Sequence, residues 1–104
     1  MRDSPILRDA ASFAGQWTVE GGGIRCGVTL SAERVESANA HALADPDDCL
    51  PRLLGRPVAG WRPAPDGLDL AGPDRLSAGF FSFAGEGEAV LARPDGARIV
   101  MRRG

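Results

Sequence analysis

The sequence contains no lysine and no tyrosine, a single histidine and two cysteines. Each scarcity excludes something. The glycine run in "GGGIRCG" is not a phosphate loop, because no lysine follows it and its glycines do not open a helix. Two cysteines and one histidine, without C-x-x-C spacing, fall short of the four ligands of a structural zinc site, so no metal and no cofactor are expected. No apolar run approaches the roughly 18 residues of a membrane span. The leading "MRDSPILRD" lacks the apolar core of a secretory signal, which fits either a cytosolic chain or a mature secreted form. Twelve arginines stand against 14 acidic residues for a formal charge of -2, with no basic patch of the kind that holds nucleic acid.

Catalytic constellations are equally scarce. Ser12, Ser31, Ser77 and Ser82 have no G-x-S-x-G context. His41 would need Cys26 or Cys49 as a nucleophile, yet no oxyanion-hole loop accompanies it and it lies in the weakest strand pattern. Asp47 with Asp48, and Glu86 with Glu88, read as solvated loop charge. The residues therefore favour a binding or inhibitory module over an enzyme.

What is present is a strand pattern. At 104 residues the chain is one domain. Segments of four to eight residues recur between turn signals about every ten residues, the spacing of a sandwich or barrel. In "GQWTVE" Trp17 and Val19 share a face; in "IRCGVTL" Ile24, Cys26, Val28 and Leu30 do. That period of two marks half-buried strands. "HALAD", "VAGWR", "LDL", "SAGFFSF", "EAVLAR" and "ARIVMR" bring the candidates to eight. Turns fall at "GGG" 21–23, "GPDR" 72–75, "GEG" 85–87 and the two copies of "PDG", 65–67 and 94–96, each read as a turn whose glycine takes positive φ. Phe80, Phe81 and Phe83 cover both faces of their strand and read as core by default, with a partner-binding patch as the alternative. Two short helices are expected: "RDAASFAG", with Asp9 as N-cap, and "DDCLPRLLG", with Asp48 as N-cap, Pro51 in the first turn and Gly55 as terminator. Cys26 and Cys49 are either two buried thiols or, in an oxidising compartment, a disulfide contributing about 3 kcal/mol by closing their loop.

"FAGQW", the cysteine after a short hairpin, "CLPRLL" and above all "GWRPAPDGLDL" followed by "FFS" resemble the AprI/Inh family of bacterial metalloprotease inhibitors, in the same order and at similar spacing from about Phe13 to the C-terminus. The resemblance implies an all-β, eight-stranded antiparallel up-and-down β-barrel of lipocalin-like outline. It also implies a disulfide between Cys26 and Cys49 and a periplasmic or secreted, monomeric inhibitor of a serralysin-type bacterial zinc metalloprotease. Residues 1–12 would form an N-terminal arm and residues 13–104 the barrel. In the family the arm enters the protease cleft and its first residues approach the zinc. Carried over, the arm contacts are Asp3, Ser4, Pro5, Ile6 and Leu7, and seven extended residues reach ~23 Å. Met1 and Arg2 precede Asp3 here, where the family begins with small polar residues, so cleft occupancy is carried over and contact with the metal is not.

The tryptophan among three prolines at 57–65 then has a role. Trp61 is expected to plug one end of the bore with Trp17 nearby, while Pro57, Pro63 and Pro65 stiffen its flanks and discourage edge pairing. The rival functions are a small-ligand carrier, which would need a cavity well above ~300 Å³, and an envelope inhibitor of serine or cysteine proteases on the same scaffold.

Overall fold

The computed structural model describes residues 10–104. After a 3₁₀ turn at Ala10–Phe13, eight strands run β1 (Gly15–Gly21), β2 (Ile24–Val35), β3 (Ala40–Ala44), β4 (Gly60–Ala64), β5 (Gly67–Ala71), β6 (Ser77–Gly85), β7 (Glu88–Ala92) and β8 (Arg98–Arg103). Each pairs antiparallel with the next, and β8 returns to β1 to close an up-and-down barrel. The one α-helix among the described residues, α1 (Leu50–Leu54), lies between β3 and β4.

Alternation sets the interior. Trp17 and Val19 from β1, Cys26, Val28 and Leu30 from β2, Leu68 and Leu70 from β5, and Ile99 and Met101 from β8 all point inward and are buried. No polar or charged residue is buried among those described. A bore of eight strands is just wide enough to be filled by side chains, and here Trp17, Trp61 and Phe81 fill it at 1% exposure or less.

Several expectations need correction. β2 does not stop at Leu30; it continues through the polar "SAERV" to Val35, with an irregularity between Leu30 and Arg34. A closed sheet has no free edge for the prolines to guard, and Pro63 lies inside β4, paired with Leu68. The β3–β4 seam is nonetheless thin, with His41–Trp61 as its ladder pair. The two "PDG" copies also part ways. Gly96 has φ +92 and its N–H donates to the Arg93 carbonyl at 3.0 Å, as the turn reading requires. Gly67 lacks a positive φ; it is the first residue of β5, and a Cβ there would collide with the Phe81 carbonyl and come within 2.7 Å of the Phe80 ring. Glycine is needed at one site for its backbone angle and at the other for its size. The "GGG" hairpin holds: Gly22 and Gly23, at φ +54 and +83, join Gly21 to Ile24 with the positive angles of a type I′ turn.

The N-cap of α1 is likewise reassigned. Asp48 itself has φ +51 and stays exposed. The Asp45 carboxylate does the capping, accepting from the Cys49 N–H at 3.0 Å and the Leu50 N–H at 2.8 Å. A turn in which the Asp48 N–H donates to the Asp45 carbonyl brings that carboxylate back over the helix start. Gly55 ends the helix at φ +75, as read. The Asp9 cap lies outside the described residues.

Candidate functional site

The barrel has two differently built ends. The Gly22–Gly23 turn, α1 and the loops at 72–76 and 93–97 lie at one. The 3₁₀ turn, the Pro65–Asp66 and Glu86–Gly87 turns and Arg103 lie at the other.

The first end is covalently closed. Cys26 and Cys49 form a disulfide, with S–S 2.01 Å and Cα–Cα 5.6 Å. It fixes the start of α1 to β2, and Leu50 and Leu54 follow into the core. With both sulfurs bonded to each other and the His41 ring 5.5 Å from Trp61, no cysteine–histidine dyad exists. His41 Nδ1 lies 3.1 Å from the Ala32 carbonyl, a satisfied strand histidine. Asp47 is exposed like Asp48, and Glu88 belongs to β7, where it pairs with Arg102 at 3.5 Å. Among the described residues there is no cluster of histidine, cysteine, aspartate or glutamate able to hold a metal ion.

The second end is closed by aromatic rings. Phe13, brought in by the 3₁₀ turn, meets Trp61 edge-on at 6.2 Å and stacks on Phe83 at 5.7 Å. Its carbonyl accepts from Trp17 Nε1 at 2.8 Å. The lid of this end is therefore Phe13, and Trp61 lies beneath it instead of forming the plug alone. Trp61 Nε1 donates to the carbonyls of Ser31 and Ala42, both at 3.0 Å, which lie where β2 and β3 lose register. The indole thus satisfies the groups that the irregularity frees. On the opposite face of β4, Arg62 donates to the Asn39 carbonyl at 2.9 Å, to Asp69 at 3.3 Å and to the Arg75 carbonyl. Trp61 and Arg62, adjacent in the "GWRP" block, so tie the thin β3–β4 seam from inside and outside.

Beside this lid is an open bowl of about 720 Å³, walled by Phe13, Trp17, Pro65, Phe83 and Arg103, with Glu86 at the neighbouring turn. It passes the size at which a carrier becomes arguable, but it lies at the mouth and the bore beneath it is packed. Arg103 sits 5.3 Å from the Trp17 ring centroid and donates to the Ala14 carbonyl at 3.1 Å. Of the aromatic stripe, Phe81 is core as the default reading has it, whereas Phe83 is 36% exposed, as the surface-patch alternative allows. The bowl draws on four separate parts of the chain, so no local motif announces it. The arm contacts Asp3, Ser4, Pro5, Ile6 and Leu7 lie outside the described residues, and the 3₁₀ turn Ala10–Phe13, where the expected arm passes into the barrel, is docked with Ala10 and Phe13 in the core.

With this geometry in place, the family described as protease inhibitor Inh matches residues 7–103. The chain belongs to that family. An alkaline proteinase inhibitor of Photorhabdus luminescens is 32% identical over 103 residues, spanning 98% of this chain and 75% of the relative. A proteinase inhibitor of Pseudomonas aeruginosa is 34% identical over 106 residues, spanning 99% and 80%. The crystal structure of a psychrophilic marine protease MP inhibitor superposes with a TM-score of 0.79 at 30% identity, covering 93% of this chain and all of that one. Protease inhibition, the eight-stranded barrel and the AprI/Inh resemblance therefore agree. No described helix is long and apolar enough to cross a membrane.

Proposed function

We propose that this Inh-family barrel inhibits a bacterial zinc metalloprotease of the serralysin type, blocking its cleft with residues Asp3, Ser4, Pro5, Ile6 and Leu7. The observation that carries the reading is the family match over residues 7–103, whose relatives include alkaline proteinase inhibitors. The structure supports it in two ways. Among the described residues no polar or charged side chain is buried in the core, which leaves the surface and the leading segment to do the binding. The chain also enters the barrel at an end closed by Phe13, a firm anchor for an arm that must hold its place in a groove. Pro5 restrains its neighbour to extended geometry and lowers the ordering cost of binding, and Ile6 and Leu7 supply apolar side chains for subsites. The zinc belongs to the target. The inhibitor acts as a monomer in the periplasm or outside the cell, where the disulfide persists.

The test is inhibition of a purified serralysin-type protease, with serine and cysteine proteases in parallel. Full-length protein inhibits the zinc enzyme at micromolar concentration or below, and removal of residues 1–7 abolishes inhibition while the barrel stays folded. Absence of inhibition by the full chain overturns the reading; unchanged potency without residues 1–7 transfers the contact to the barrel.

A further inference from the structure

The triplet Pro-Asp-Gly occurs twice in the chain, and each copy contains an aspartyl-glycyl bond. Glycine has no side chain to shield its amide nitrogen. That nitrogen can attack the carboxyl of the preceding aspartate and close a five-membered imide. The fold treats the two copies differently.

At Asp66–Gly67 the attack is obstructed. Gly67 is the buried first residue of β5, paired with Ala64 on one side and Ser82 on the other. The Phe81 carbonyl and the Phe80 ring crowd its Cα. The Asp66 carbonyl accepts from the Phe83 N–H at 2.9 Å, which fixes the peptide that would have to rotate.

At Asp95–Gly96 the attack is assisted. Both residues are exposed in the turn between β7 and β8, and a Cβ on Gly96 would meet no atom within 4 Å. Asp95 Oδ1 accepts from the Ala97 N–H at 2.9 Å. This contact folds the carboxyl over the following peptide, beside the Gly96 nitrogen. It also sets a donor on an oxygen where negative charge develops during the attack. One bond opposes the step: the Gly96 N–H donates to the Arg93 carbonyl at 3.0 Å. On an exposed turn, water replaces such a bond at little cost.

We propose that Asp95 is a site of spontaneous covalent modification, conversion to isoaspartate, and that the fold confines this reaction to one of the two identical triplets. The Gly96 nitrogen bonds to Cγ of the protonated Asp95 carboxyl. The carboxyl hydroxyl leaves with the nitrogen's proton as water. Water then opens the imide. Opening at Cγ restores aspartate; opening at the former main-chain carbonyl leaves the chain running through the side chain. No oxidant or cofactor takes part, and the overall mass is unchanged. The product carries one extra methylene in the main chain between β7 and β8 and withdraws the acceptor from the Ala97 N–H. The thermal midpoint of the modified barrel falls accordingly.

The full-length folded protein, held for weeks at mildly acidic pH so that the carboxyl can lose its hydroxyl, is digested and mapped by mass spectrometry. An isoaspartyl peptide keeps its mass, elutes apart from the aspartyl form and resists an endoprotease that cuts before aspartate. Isoaspartate is expected at position 95 and at least severalfold less at position 66. In denaturant, where both triplets are free, the two sites convert at similar rates, which shows that the selectivity belongs to the fold. Asp95→Glu cannot close a five-membered ring and loses the product. Gly96→Ala shields the nitrogen and slows conversion severalfold. No conversion at Asp95 in the folded wild type, equal conversion at Asp66, or a Gly96→Ala variant that converts as fast as wild type overturns the proposal.

Discussion

The two ends of this barrel are closed by different physics. At one, a disulfide and a capped turn of helix lower Leu50 and Leu54 into the core. At the other, Phe13 lies across Trp61 and against Phe83 with no covalent tie, and an open bowl remains beside it. A cross-link acts largely by restricting the unfolded chain, so it secures its end without needing extensive packing. An aromatic lid is secured by burial and by its hydrogen bond to the Trp17 indole, without a cross-link. The closed end is thus secured through the chain itself and the open end through packing.

The hardest blow to this division is Trp61→Ala. The substitution removes a fully buried indole, takes away the surface on which Phe13 rests and orphans the Ser31 and Ala42 carbonyls. A loss of about 3–5 kcal/mol in denaturant unfolding is expected. Trp61→Phe keeps most of the ring and separates the two contributions, since the missing hydrogen bonds alone account for about 1–2 kcal/mol. A loss below about 1 kcal/mol for the alanine variant would show that the lid is not supported from beneath.

Replacing Cys26 and Cys49 together by alanine is expected to cost about 3 kcal/mol by the loop-closure argument. The location of the effect matters more than its size. Amide exchange should quicken first in α1 and around Arg25, with Phe13 and Trp17 retaining their protection. Equal loss at both ends would mean that the barrel opens as one unit and that the ends are not independent.

The opposition between the ends was only partly written in the sequence. Period-two alternation in β1 and β2 and the spacing of turns were enough for eight strands, because inward residues had to be apolar and outward ones did not. The far half of β2 was invisible because "SAERV" extends past the packed core, where no alternation is imposed. Asp45 was hidden among three nearby aspartates, since the turn that folds its carboxylate back is a matter of geometry and not of residue type. Phe83 as exposed wall was not separable from core, because an aromatic in a strand pattern looks the same whether or not the barrel continues above it. Phe13 as lid was hidden in a short helical pattern whose packing partners are distant in sequence. The arm was legible only by resemblance, whereas the bowl, assembled from distant segments, had no linear signature at all.

Asp45→Ala gives a smaller and more local effect. It removes the acceptor from the Cys49 and Leu50 N–H groups at the start of α1. Loss of a cap costs about 1 kcal/mol, and here the disulfide holds the helix start in place regardless. A loss well above 2 kcal/mol would mean that the helix, and not the cross-link, carries the closed end.

The finest discrimination comes from the two "PDG" turns, one at each end. Gly67→Ala drives a methyl group into the Phe81 carbonyl and the Phe80 ring, and a backbone carbonyl in a closed sheet cannot move aside. The expected cost is about 2–3 kcal/mol, with disturbed pairing of β5 and β6. Gly96→Ala meets no atom within 4 Å; its cost is the positive φ alone, about 1 kcal/mol. Asparagine tolerates that conformation, so Gly96→Asn should recover part of the loss, whereas Gly67→Asn should be worse than Gly67→Ala. Identical responses at the two sites would contradict the distinction between size and backbone angle, since the triplets are the same and only their surroundings differ.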